Sequence, residues 1–307
     1  MRSTSPSKFV SALVLTGLAL APEVAHAQAC CTNTSVLFPV RVQRGDTAAL
    51  GLSVNGRGET GGYDSRSSWA GAPNGTRDVS FEQRLLAAVR PWRELQFSLG
   101  LPFVESYRAS PGISEGGGGI GDLMAGARYD FIDVQNATGL PGLAVLAGVT
   151  APTGTAVDQA HHLLATDATG QGAWQGSLGV ASDYIIGERI VLELTGAVTG
   201  RLARKVGDVQ EQLAPLFTAA FAAAYVFDEL QVVALTLAYS AEPDATIDGH
   251  TIQGSARRTT TFGVFAAIPL PERFRLQATL GADVPVVGLG QGQSTGVSLT
   301  VMALKLW

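Results

Sequence analysis

Arg273-Phe274-Arg275-Leu276-Gln277-Ala278-Thr279-Leu280-Gly281-Ala282-Asp283-Val284 alternates polar and apolar side chains without a slip. Successive side chains of a strand point to opposite faces, so this run predicts a β-strand with one apolar and one polar face. It is longer than the ~5–6 residues of an ordinary soluble strand and fits the ~9–11 that a tilted strand needs to cross a bilayer. A second run of this kind, Gly296-Val297-Ser298-Leu299-Thr300-Val301-Met302-Ala303-Leu304-Lys305-Leu306-Trp307, is the last in the sequence. An apolar strand with an unpaired edge is a template for aggregation. Pairing it with the first strand closes a barrel, and that closure is the central expectation.

The same period of two recurs outward from these runs. Leu50, Leu52 and Val54 alternate with Ala49, Gly51, Ser53 and Asn55; Leu95, Phe97, Leu99, Leu101 and Phe103 alternate with Glu94, Gln96, Ser98 and Gly100. About twelve segments follow the pattern, near 47–58, 78–90, 94–104, 119–131, 142–151, 173–185, 189–201, 214–227, 231–241, 258–269, 273–284 and 296–307. The connections sort by parity. Pro91-Trp92-Arg93, Gly187-Glu188, Asp228-Glu229 and Pro271-Glu272 mark short turns, joined by the longer 132–141; 59–77, 105–118, 152–172, 202–213, 242–257 and 285–295 are long loops. Short turns at one end and long loops at the other are the pattern of an outer-membrane barrel, with the turns periplasmic. Counting strands alternately up and down puts Trp92, Tyr129, Phe131, Tyr184, Tyr225, Phe227, Phe274 and Trp307 at the turn ends. Phe81, Phe103, Trp174, Phe217, Tyr239 and Phe262 fall near the loop ends. Two aromatic belts flanking an aliphatic band suit the two membrane interfaces. The fold class expected is all-β: a closed antiparallel transmembrane β-barrel of about twelve strands in an up-and-down meander, spanning 47–307.

Composition agrees. The chain is 46% hydrophobic but only 15% charged, against ~25% charged in an average soluble protein. Apart from the N-terminus, no uncharged apolar stretch is long enough for a transmembrane helix. Residues 1–27 read as a signal peptide: Arg2 and Lys8 precede an apolar run from Phe9 to Leu20, and Ala25-His26-Ala27 is a small-x-small cleavage site. Outer-membrane localisation follows as the expectation. Of 21 basic and 26 acidic residues, cleavage removes Arg2, Lys8 and Glu23, leaving 19 and 25, a net charge of −6. That argues against nucleic acid as a partner. Cys30 and Cys31 are the only cysteines and are adjacent, so no disulfide framework exists. Cleavage after Ala29 would leave Cys30 N-terminal as in a lipoprotein, but Ala27 stands where such signals carry Leu. The pair reads as thiols in a tail. That tail, 28–46, contains the apolar run Val36-Leu37-Phe38-Pro39-Val40 and is expected to be either a periplasmic extension or a plug in the lumen.

Motifs for chemistry are sparse. Gly116 to Gly121 spells G-x-G-x-x-G, but it opens a strand in an all-β chain rather than a helix in a βαβ unit, so no dinucleotide site is expected. His161, His162 and His250 fall in long loops, away from any Cys or carboxylate at ligand spacing. No cofactor, metal site or catalytic residue is expected. The polar strand faces carry the candidate lumen lining: Glu82, Arg84, Glu94, Asp122, Arg128, Asp130, Asp183, Glu193, Arg273, Arg275 and Asp283. Elsewhere the inward positions are small and apolar (Ala220, Ala222, Ala224, Val226, Val232, Ala234, Ala238, Phe265 and Ala267), more than a wide aqueous pore requires.

Three stretches resemble the MetA-pathway-of-phenol-degradation family of bacterial outer-membrane proteins. They are Gly118-Gly119-Ile120-Gly121-Asp122-Leu123 with Ala127-Arg128-Tyr129, Gly148-Val149-Thr150-Ala151-Pro152-Thr153-Gly154, and Gly170-Gln171-Gly172-Ala173-Trp174. The motifs cover the middle third of the chain. The resemblance implies an outer-membrane barrel passing small solutes, hydrophobic or aromatic ones included. Trp307 also resembles the terminal aromatic by which the barrel-assembly machinery recognises its clients, although Lys305 replaces the usual apolar residue two positions earlier. The function expected is a channel or transporter in the lipid bilayer of the outer membrane. The rivals are a closed structural or surface-binding barrel and a barrel hydrolase.

Overall fold

The computed structural model describes residues 40–42, 45–133, 139–187, 189–227 and 231–307. The expected signal peptide, Cys30, Cys31 and Val36 to Pro39 lie outside them. Twelve antiparallel strands close into a barrel in meander order. They are β1 (Ala48–Tyr63), β2 (Arg77–Val89), β3 (Leu95–Ser110), β4 (Leu123–Ile132), β5 (Gly142–Ala151), β6 (Gln175–Ile186), β7 (Ile190–Arg201), β8 (Leu216–Val226), β9 (Val232–Glu242), β10 (Arg257–Leu270), β11 (Phe274–Asp283) and β12 (Ser294–Leu306).

Closure joins β12 to β1, from Ala49 opposite Leu306 to Gly62 opposite Ser294, with one register shift between Glu59 and Gly61. The Trp307 N–H donates to the Ala48 carbonyl at 3.1 Å, and the Thr47 N–H donates to the Trp307 carbonyl at 2.6 Å. Ser298 and Thr300 turn inward, and Thr300 Oγ1 accepts from Asn55 Nδ2 at 2.6 Å. Lys305 stands with Nζ 4.4 Å over the Phe274 ring and donates to the Glu272 carbonyl at the turn. Its charge therefore leaves the apolar zone while its stem covers the ring.

Alternation runs inside-out. On β11, Phe274 is 42% and Leu280 53% exposed, whereas Arg275, Gln277 and Asp283 are each 6% exposed. Such a wall fits lipid outside and a polar interior. The aromatic belts face outward at both ends, and Tyr129 with Phe131 and Tyr225 with Phe227 make edge-to-face pairs at 4.8 Å.

Extra strands stand where long loops were expected. Ile113–Ile120 pairs with the far half of β3, and Arg204–Val206, Val209–Gln212, Thr246–Ile247 and His250–Thr251 form a small sheet from two loops. The Ile113–Ile120 strand contains Gly116 to Gly119, which have no side chains to alternate, so periodicity is blind to it. The small sheet did carry a signal: Asp248-Gly249 sits between Ile247 and His250 with φ of +48° and +79°, the backbone that Asp-Gly hairpin turns adopt.

Candidate functional site

The lumen is the candidate site, and its two ends differ. At the turn end, inward side chains from β3, β4 and β6 meet residues 40–42, which lie inside the barrel. The Gln96 side chain is fully buried; its Oε1 accepts from the Val42 N–H at 2.9 Å and its Nε2 donates to the Val40 carbonyl at 2.7 Å. One amide thus satisfies both polar groups of an extended segment. Val40 and Val42 pack on Ala49, Leu86, Ala88, Leu304 and Leu306. Between them Arg41 points across the lumen, its Nη2 2.8 Å from Asp183 Oδ2.

Asp183 belongs to a chain of ion pairs. Arg128 Nη2 is 3.6 Å from Asp183 Oδ2 while Arg128 Nε binds Asp130 Oδ1 at 2.7 Å, and Arg90 Nη2 lies 3.6 Å from Asp130 Oδ2. Glu193, 5% exposed, stands opposite Asp183 in the β6–β7 register. The facing wall, from β7 to β10, is apolar: Val191, Ala222, Ala224, Val226, Val232, Ala234, Phe265 and Ala267 form one buried cluster. A cleft of about 440 Å³ opens at the rim beside Asp46, Arg90, Trp92 and Asp133. Burial pushes the Asp46 carboxyl up from its ordinary pKa, against the pull of Arg273, Arg275 and Arg90.

Toward the loop end the lumen is held by shorter polar links. Asp283 accepts from Arg57 Nη2 at 2.8 Å, Thr261 Oγ1 at 2.6 Å and the Gly296 N–H at 3.0 Å. Arg201 pairs with Glu242 at 2.7 Å, and Ser177 bonds Thr199 at 2.8 Å. Arg84 pairs with Glu82 on its own strand.

The loop end itself is organised by Asp122. Its Oδ1 accepts from the Gly154 N–H at 2.9 Å and its Oδ2 from the Gln171 N–H at 2.7 Å. Thr153 Oγ1 donates to the Gly121 carbonyl at 2.7 Å, and Thr169 Oγ1 to the Ile120 carbonyl at 2.7 Å. Gly170 is required here: a Cβ on it would fall 2.4 Å from Asp122 Oδ1. The three family-like stretches therefore converge on one clasp that binds the 152–174 loop to the wall.

Of the residues named from sequence, Glu82, Arg84, Arg128, Asp130, Asp183, Glu193, Arg275 and Asp283 sit on strands with side chains withdrawn from solvent. Three stand elsewhere. Glu94 is exposed in the β2–β3 turn, because β3 begins one residue later at Leu95. Arg273 occupies the turn Pro271–Arg273 with φ of +61°, and its side chain is 67% exposed, 3.8 Å from Asp46. Asp122 precedes β4 and serves the clasp. Arg41, Arg57, Gln96 and Arg201 also reach into the lumen; alternation marks the inward positions among them, but no local signal marks their partners. His161 and His162 lie in the 152–174 loop, where His162 Nδ1 is 2.7 Å from Thr166 Oγ1. Among the described residues, no three His, Cys, Asp or Glu side chains are grouped to hold a metal.

No curated protein matches the sequence. Among solved structures, the chain is similar to an outer membrane channel from Pseudomonas putida F1, with 18% identity, a TM-score of 0.69, and coverage of 87% of this chain and 100% of that one. It is also similar to the translocator domain of the autotransporter NalP from Neisseria meningitidis, with 13% identity, a TM-score of 0.48, and coverage of 86% and 90%. At 18% identity the first likeness speaks for the barrel fold. Residues 45–300 match the model of the family described as "Putative MetA-pathway of phenol degradation", and the chain belongs to that family.

Proposed function

We propose that this barrel is an outer-membrane channel for small solutes, hydrophobic or aromatic ones included, with its turn end in the periplasm and residues 28–46 as a plug in its lumen. The observation that carries the reading is the two-sided turn-end lumen. Polar and charged side chains from β3, β4, β6 and β7 face an apolar wall from β7 to β10, and Val40 to Val42 lie within the barrel. An apolar wall offers a dry surface along which a nonpolar ring or chain is accommodated without desolvating a charge. Glu82, Arg84, Arg128, Asp130, Asp183, Glu193, Arg275 and Asp283 are the proposed polar lining, with Glu94 and Arg273 at the rim. Residues 1–27 direct export, and the strand ending at Trp307 is what the assembly machinery reads.

The test is planar-bilayer conductance and liposome uptake with the mature protein and with residues 28–42 deleted. The reading expects small or closed-state currents from the full chain and larger ones from the deletion, with entry of a small aromatic solute. Silence from both, in protein shown to be folded by a mobility shift on boiling, would overturn it.

A further inference from the structure

Asp183 is held by a cation that the barrel wall does not own. Its side chain is more than nine-tenths buried, and its closest partner is Arg41, at 2.8 Å, on the segment preceding β1. Among the described residues the wall offers Arg128 at 3.6 Å, and Arg128 is committed more closely to Asp130 at 2.7 Å. Asp183 Oδ1 has no hydrogen-bond partner among the described residues although it is buried. Glu193 stands opposite it in the strand register, so two carboxylates are neighbours on one face. Buried carboxylates demand a cation, and adjacent ones demand it more strongly. The carboxylate's two oxygens, one bonded to a guanidinium and one without a partner, suit the planar donor fork that binds carboxylates in two places. Ala144, Leu146 and Ala181 form an apolar cluster on the adjoining strands β5 and β6, suited to an alkyl stem.

We propose that Asp183, with the apolar side chains beside it, is a binding seat for guanidinium-bearing small solutes, and that Arg41 is its tethered occupant. A solute of this class competes with Arg41 for Asp183 and so favours release of residues 40–42 from the lumen. That consequence rests on the channel reading; the seat itself does not.

The two are separable by experiment. Calorimetric titration of the folded protein in detergent with ethylguanidinium reads the seat directly. Arg41→Ala is expected to bind the probe at least about tenfold more tightly than the unaltered chain, because the competitor is gone, and Arg41→Ala with Asp183→Asn is expected to lose at least about tenfold. Arg41→Lys should fall between. Ethylurea, neutral and of similar shape, should not bind. Equal binding by the single and double variants, both heat-modifiable, would overturn the seat, as would no binding to Arg41→Ala. In bilayers, ethylguanidinium should raise the current through the unaltered chain and block Arg41→Ala but not the double variant. Calorimetric discrimination without current in any variant removes the channel reading and leaves the seat; currents without calorimetric discrimination do the reverse.

Discussion

The two ends of the barrel are held by opposite means. At the turn end, side chains reach across the lumen: Gln96 holds the backbone of residues 40–42, and Arg41 spans to Asp183. At the loop end, loops fold back on the wall through backbone N–H groups and carbonyls gathered around Asp122, Thr153 and Thr169. The first arrangement ties down a segment that is not part of the wall and so can be exchanged without rebuilding it. The second extends the wall, and Gly154 and Gly170 approach so closely that a side chain at either would part them. One end is a contact between chain and cavity; the other is architecture.

Both ends depend on an unbroken wall, and removing the wall gives the largest effect. Truncation after Thr295 deletes nearly all of β12 and leaves β1 and β11 with open edges. Unpaired backbone groups are not tolerated in lipid. We expect no folded barrel, read as loss of the mobility shift on boiling. Folded protein from this truncation would refute the closing role of β12.

Asp122→Ala separates the two ends. It removes two part-buried charge-assisted bonds to loop backbone; such bonds contribute about 1.5–3 kcal/mol each, at or below the lower end where water replaces the lost partner. We expect a loss of about 2–4 kcal/mol in the clasp, seen as protease sensitivity confined to 152–174. The barrel should remain heat-modifiable and the Val42 amide protected. Gln96→Ala is the mirror experiment, with a smaller effect of about 1–3 kcal/mol. It leaves the Val42 N–H and Val40 carbonyl without their partner, so hydrogen exchange at Val42 should rise while 152–174 stays protected. If either variant loosens both ends, the independence of the two devices fails.

Sequence reading reached the wall but not the devices. Alternation at Phe274 to Asp283 needs only neighbours one and two positions apart, so it is legible in any window. Parity of loop length and the outward aromatics followed in the same way. The turn-end contacts are not local: Arg41 and Asp183 are 142 positions apart, and Val42 and Gln96 are 54 apart. Only the barrel's curvature brings them together. The Asp122 clasp was half legible. Its three family-like stretches stand out as a pattern, but Asp122 falls on the polar face of the expected strand 119–131 and so reads as lining. Its partners, Gly154 and Gln171, offer backbone N–H groups that no side-chain pattern encodes.

The smallest effect tests the loop end by pH. The His161 N–H donates to Asp167 Oδ2 at 2.8 Å and the His162 N–H to Asp167 Oδ1 at 3.2 Å. The bond from His161, with that from His162, holds the Asp167 carboxyl below its ordinary pKa. A carboxyl lowered in the folded state contributes its stabilisation above the ordinary value, and the contribution is lost as pH falls through the lowered one. Taking the protein from about pH 7 to about pH 3 should therefore speed hydrogen exchange at His161 and His162, after correction for the intrinsic rate. The Val42 amide, held by the uncharged Gln96, should not follow. Asp167→Asn keeps an acceptor but removes the titration, so its exchange should be raised modestly at both ends of the range. Because both N–H partners of Asp167 lie in its own turn, the change should stay local to that turn. A pH response at His161 and His162 that survives Asp167→Asn would remove Asp167 as its source.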